Sequence, residues 1–521
     1  MRGRRAIRYA AAAVALGLTG AVPAAAEGPP ERPDTRPVMF VGNNWEGTAD
    51  IVDARTFQRL ARINTIPDRE ERMAEIQSDP ERLAFFLAIR QAVGEGNDQF
   101  TDDMFTSHDG RFVYVSRPSF ADVVGISLRT GEIVWRFPME GQRSDHMAIS
   151  PDGTALLVSD STANKVHRLD AATGRKTGEF PSGDSPHENN YSKDGRLVYH
   201  ASIGRVYTPT DQELIGPLEL IRDTTKGERY FQIVDANTMQ VLERFDMGDK
   251  LAEAGHPEME SAVRPMALAP DERILYAQIS FHHGFVEYSF DEDRVLRVAN
   301  LPVSEEAQNT PREEYLLDSA HHGLAMNAAG TKLCVAGTMS DYAAIVSRAT
   351  FAAKLFSVGE KPYWSTNGPV EDHCWVSFSG DDKVGVFSYS EERQLAEIPV
   401  GDHPQRVRAG AVQHNLLAAL PVAEGARDNL RPRIRVAGLP RRRCTRGGFR
   451  VRVRIIDQSR LRGARVAMGS RRLKRTTRKR FRVKIKTQRM RAGRHRVRFR
   501  ATDAAGNRAR RVISFRRCER G

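Results

Sequence analysis

The sequence predicts an all-β protein, a seven-bladed β-propeller followed by a small β-sandwich. Three observations carry that prediction. A unit holding a histidine or aspartate, an alternating apolar strand and an Asp-Gly turn recurs as TDDMFTSHDGRFVYVS, SDHMAISPDGTALLVSDS, SPHENNYSKDGRLVYHAS and SAHHGLAMNAAGTKLCVAG. Its turn glycines Gly110, Gly153 and Gly195 are spaced by 43 and 42 residues, the period of a four-stranded propeller blade. The last ninety residues then change character, to short alternating strands dense in arginine such as FRVRVRIID and HRVRFRATD.

Taken in order, residues 1–26 have a basic start, a short apolar run and small residues before Glu27, and read as a secretory signal. Arg4 and Arg5 fit either the general or the twin-arginine export route. The mature chain is therefore expected to be exported, secreted or associated with the cell surface, and no later apolar stretch is long enough to span a bilayer. Residues 36–412 form the propeller. Its inner strands start near Asp102, His146, His187, Pro265, His322, Tyr363 and Gln405. The strand from Val38 lacks an inner neighbour, and PQRVRAGAV from Pro404 can supply it, so that the two ends of this region close one blade and leave no free edge. An insertion at 67–96 reads as helical, with Asp79 as N-cap and Pro80 at the first helical position. A polar linker (413–432) leads to a basic β-sandwich (433–521).

The PDG turns, the VYV-type second strands and the D-A-x-T third turn resemble the YVTN family of seven-bladed propellers, over roughly residues 36–412. The A-T-D-A-A-G-N turn and short strands of the tail resemble bacterial immunoglobulin-like domains. Both resemblances imply a fold and leave function open, because members of the first family include surface-layer, binding and enzyme-related proteins.

Charge divides at the same boundary. Residues 431–521 hold 35 lysines and arginines against 3 acidic residues, whereas the rest of the chain holds 44 against 63. An acidic body with a basic tail points to a polyanionic partner outside the cell, such as an acidic cell-wall polymer; an arginine-rich solvated surface is the plainer reading. The tail's few aromatics, Phe449, Phe481, Phe499 and Phe515, sit at strand positions instead of interleaving with the cations as in a nucleic-acid reader. Cys444 and Cys518 bracket the tail and read as a staple, while Cys334 and Cys374, on similar strands of successive units, fit either a bond or two buried thiols.

The start of each inner strand lies beside the axis at one mouth of a propeller. That register holds Asp102, Asp145, His187 and His322, with Asp103, His146 and Glu188 beside them, and Arg264 where a unit lacks the turn glycine. The long loops open on the same mouth, as binding loops do, and His200, His256, His282 and His283 map to its rim. Three readings follow for this small-molecule site. His146, His187, His321 and His322 could hold zinc, copper or iron. Glu188 or Asp145 could act as a general base, with a histidine as acid and Arg264 on an anion, in a metal-free lactonase-like hydrolase, whereas a metal-dependent oxidoreductase would use the histidine ligands. Alternatively, these groups only tie loops together. The sequence contains no Walker loop, dinucleotide fingerprint or nucleophile elbow. His108, in place of a turn proline, reads as an exposed turn residue, and His373 and His403 read as lying away from the mouth.

Overall fold

The computed structural model describes residues 28–205, 226–315, 317, 319–369, 373–420, 432–440, 444–456, 461–469, 471–488, 490–503 and 508–518. Residues 1–27, where a secretory signal is expected, the insertion from Val206, most of the linker and residues 504–507 of the expected turn lie outside the described residues.

Antiparallel four-stranded sheets arranged like propeller blades make up the body, and seven of them fall between Thr35 and Gln413. Each is a meander whose strands alternate in burial pattern only weakly, because both faces are covered by the neighbouring sheets. The first strands Met104–Thr106, Ser144–Ile149, Pro186–Tyr191, Val263–Leu268, Leu324–Met326 and Pro362–Asn367 lie side by side in chain order, and the last of these adjoins Pro404–Gln413. That strand pairs antiparallel with Thr35–Asn43, matching Val38 to Gly410 and Phe40 to Arg408, so the pairing expected from the unpartnered Val38 strand is present. Apolar clusters bridge successive sheets: Val38, Phe40 and Ile51 pack with Val113 and Val115 of the next sheet.

Hydroxyls on the second strands stitch each sheet to the next. Ser116 Oγ donates to the carbonyl of Asp145 (2.8 Å), Ser159 Oγ to that of His187 (2.9 Å), and Ser377 Oγ to that of Gln405 (2.6 Å). Gln278 does the same with an amide, bonding Gly323 in both directions. All of these acceptors and partners sit on inner strands or just ahead of them, so the bonds fix where the axial residues stand. The disulfide Cys334–Cys374 joins two adjacent sheets with a Cα separation of 6.4 Å, which resolves the choice left by the sequence. His108 is half-buried and packs beneath Gly153, where any Cβ would meet its ring at 2.7 Å; it is a packing residue between two turns, not an exposed one.

The insertion forms helices Arg69–Ser78 and Pro80–Ala92. Asp79 caps the second, its carboxylate accepting from the backbone N–H of Glu81 and Arg82 (3.0 and 3.1 Å). Ile76 and Phe86 pack on Phe100 and Phe120, and the wholly buried Arg117 ties Asp68 at the start of the insertion to Asp122 of the second sheet.

In the tail a three-stranded sheet (Arg433–Ala437, Phe449–Ile456, Arg480–Ile485) and a four-stranded sheet share one apolar cluster that includes Val451, Val483, Phe499 and Phe515. The strands alternate strictly, valine inward and arginine outward, over Val451 to Arg454. Cys444 and Cys518 are bonded, as the sequence predicts.

Candidate metal centre at the axial mouth

Three of the inner-strand histidines converge. His146, His187 and His322 are all buried, and each offers one ring nitrogen within 4.8 Å of the other two. The rings of His146 and His187 are 3.8 Å apart at their centroids, and the Nε2 atoms of His187 and His322 are 3.4 Å apart.

Their neighbours fix the tautomers. Arg406 from the closing strand directs a guanidinium N–H at His146 Nε2; a guanidinium can only donate, so that nitrogen carries a lone pair and the ring proton sits on Nδ1, 2.6 Å from Glu188 Oε2. His322 Nδ1 faces the carbonyl of Tyr363 at 3.3 Å, which can only accept, and its Nε2 is again left with the lone pair. Donation of one ring N–H to a carboxylate or carbonyl is what orients metal-bound imidazoles. Burial, reinforced by Arg406 and by the other cations and imidazoles nearby, holds all three rings well below the usual histidine range, so they are neutral at neutral pH, and Arg406 would have to withdraw from His146 Nε2 before that nitrogen could bind an ion.

Carboxylates and guanidiniums surround the trio in near balance. Asp103 binds Arg408 through both oxygens (2.8 and 2.7 Å) and also accepts the backbone N–H of Met147 (3.0 Å). Asp145 accepts from Arg143 (2.5 Å) and Ser161 (3.0 Å). Burial pushes Asp102 up to about 6 against the opposing pull of Arg406, and pushes Glu188 up to about 7 against Arg408 and Arg406. A cavity of about 20 Å³ lies among Asp102, Asp145, His187, Tyr363 and Arg406. Val93 at the end of the helical insertion, Ile203 and Leu317 close it, so three of the rim segments meet over the axial residues. Four buried atoms here, His187 Nδ1, Asp102 Oδ2 and Arg406 Nε and Nη1, have no hydrogen-bond partner among the described residues. Such orphans cost free energy unless something else satisfies them.

The sequence places Asp102, Asp145, His146, His187, Glu188 and His322 together, and the structure does the same. His321 does not join them. Adjacent residues of an extended segment point to opposite sides, and His321 Nε2 meets the hydroxyl of Tyr342 at 3.1 Å, beside His283. Arg264 is buried, donating to Ser280 Oγ (2.8 Å) and to the carbonyl of Leu317, and its charge bears on His187 and His322; it braces a rim loop. His200 lies inside its sheet on Ser182 and Asn189, and His256 is half-buried near Glu258, so neither belongs to the site. Sequence reasoning missed Arg406 and Arg408. The signal was available: Arg406 follows Gln405 as His146 follows Asp145.

A second group, Glu140, His167 and Glu179, lies on the outer strands of the third sheet and the turn before it. Lys165 and Lys176 already bridge both carboxylates, which leaves a cation there little to gain.

No protein-family model matches the chain, and no curated protein matches it. Among solved structures, hydrazine synthase of Kuenenia stuttgartiensis is similar, with 14% sequence identity and a TM-score of 0.44 over 58% of this chain and 88% of that one.

Proposed function

We propose that the protein is an exported binding protein: a YVTN-like seven-bladed β-propeller spanning residues 36–412 that holds a transition-metal ion on His146, His187 and His322, and an immunoglobulin-like tail from residue 433 that is attracted to acidic cell-surface polymers. The observation that carries the metal reading is the convergence of three neutral, buried imidazoles whose ring protons are positioned away from the centre in two cases. Tetrahedral zinc with bonds of 2.0–2.1 Å sets its nitrogens about 3.3 Å apart, close to the 3.4 Å between His187 and His322. Zinc, copper or iron would suit this donor set, and Asp102 and Glu188 would offset its charge.

The cavity beside the trio, lined by His187 but by neither His146 nor His322, is too small for an organic ligand. About 20 Å³ accommodates an ion or a water molecule, and a lactone or similar substrate of a hydrolase would need the insertions to part. The ion would supply Lewis acidity if a substrate did enter; the chain's own groups position it and exclude bulk water. The tail reading rests on charge alone: 35 cations against 3 acids in residues 431–521.

Metal analysis of untagged protein tests the proposal. A stoichiometric ion is expected in the native protein and should be lost in His187→Ala and His322→Ala. The metal site is abandoned if native protein carries no such ion and both variants respond to added zinc or copper in thermal melts as the native protein does.

A further inference from the structure

The register of both tail sheets lines arginines up in rows, and in the three-stranded sheet those rows border a groove. Arg435 pairs with Arg454 and Arg454 with Arg480, so one row of guanidiniums crosses all three strands; Arg452 and Arg482 form a second row beside it. Strands lie about 4.8 Å apart, and like charges directly opposite one another destabilise a sheet. In the body, by contrast, arginines such as Arg117 and Arg408 sit on carboxylates. Among the described residues no carboxylate pairs with any of these five, although all are exposed.

These rows line an open groove of about 1140 Å³, which Arg510 and Arg511 of the other sheet also border. Ile434, Val436 and Phe481 also border it, but they alternate with the arginines along their strands and pack toward the core on the opposite face, so the rows on the outer face are purely cationic. Guanidinium forks recognise planar oxyanions such as carboxylates through paired hydrogen bonds. Resting on the polyanion reading of the tail, we infer that this groove is a built site for a segment of an acidic glycan, a linear polymer carrying about one carboxylate per sugar. Such a polymer crossing the strands meets a guanidinium at each one, and the volume admits several sugar units. The remaining cations of the tail supply long-range attraction without selectivity.

Charge-matched variants of the full chain separate a groove from diffuse attraction. Arg454→Gln, Arg480→Gln and Arg482→Gln together remove three charges from the groove. Arg465→Gln, Arg475→Gln and Arg500→Gln together remove three from a row on the other sheet, outside it. With linear polygalacturonate as probe at low salt, the groove triple should bind about tenfold more weakly or worse, and the control triple within about threefold of the native protein. Thermal melts should show both folded; if the groove triple is not, the same three positions as lysine keep the charge and lose the forks, and should weaken binding by several-fold. Equal losses in the two triples would overturn the groove and leave the polyanion reading standing. Inorganic polyphosphate of equal charge bound as tightly would overturn the glycan assignment, and native protein that ignores polygalacturonate even at low salt would remove the polyanion reading itself.

Discussion

Asp103→Asn should loosen the ring at the point where its ends meet. Asp103 is fully buried, binds Arg408 on the closing strand through both oxygens, and accepts Met147 N–H from the third sheet, so one carboxylate joins three sheets. Asparagine keeps the shape but replaces one acceptor by a donor facing a guanidinium, and leaves Arg408 without its counter-charge. Breaking a buried pair in this way costs about 3–5 kcal/mol. For a body of about 380 residues the unfolding entropy is about 0.8 kcal/mol/K, which converts the loss to a fall in Tm of roughly 4–6 °C. Arg408 also stacks on Phe105 and Trp364, so Arg408→Ala alone loses more than the ion pair. A double-mutant cycle of Asp103→Ala and Arg408→Ala isolates the pair and should return a coupling of about 2 kcal/mol or more. A Tm for Asp103→Asn within about 1 °C of the native value, or a cycle without coupling, would refute the reasoning.

Two further outcomes are expected. His403, buried and stacked on Trp45 at 3.7 Å, is pushed down to about 3 by burial and Lys361, so between pH 6.5 and 3 the unfolded chain binds a proton that the folded chain does not. Stability should therefore fall with pH below 6.5 by about 1.4 kcal/mol per unit from this residue and be unaffected above it; melts of His403→Gln and native protein at pH 7 and 5 that drop in parallel would show the assignment to be wrong. Ser159→Ala and Ser377→Ala each remove a donor to a neighbouring inner strand together with an acceptor, for Asn189 Nδ2 and Trp364 N–H respectively, and should each cost about 1–3 kcal/mol in chemical denaturation. Unchanged midpoints would mean that the stitching bonds contribute nothing.

The axial site was legible because its residues share a register with the turn glycines. Counting eight back from Gly153, Gly195 and Gly330 gives Asp145, His187 and His322, with His146 next to Asp145, without any knowledge of contacts, and the missing neighbour of the Val38 strand pointed to Pro404. Arg406 and Arg408 escaped because no turn glycine follows their strand: its hairpin partner is at the other end of the chain. The stitching serines were also readable, Ser116 and Ser159 each standing six residues after a turn glycine, but a serine in a strand says nothing of its acceptor until the next sheet is placed. His321 and His322 could not be told apart by residue type; the backbone's alternation decided between them. The long rim insertions carry no period, so their meeting at Val93, Ile203 and Leu317 required coordinates.

The antiparallel pairing of Thr35–Asn43 with Pro404–Gln413 sets a clock on biogenesis. At 5–20 residues per second a ribosome needs roughly 20–70 s to make the chain between those strands. Until then the first sheet has three strands with an open edge, and the emerging seventh sheet lacks the neighbour that covers it. No ring can form until Pro404–Gln413 has been made, and the first sheet waits with unpaired backbone that could join another chain. Aggregation should thus compete with folding mainly during this interval, and a permuted gene that begins at Pro404 and encodes the closing strand first would shorten it.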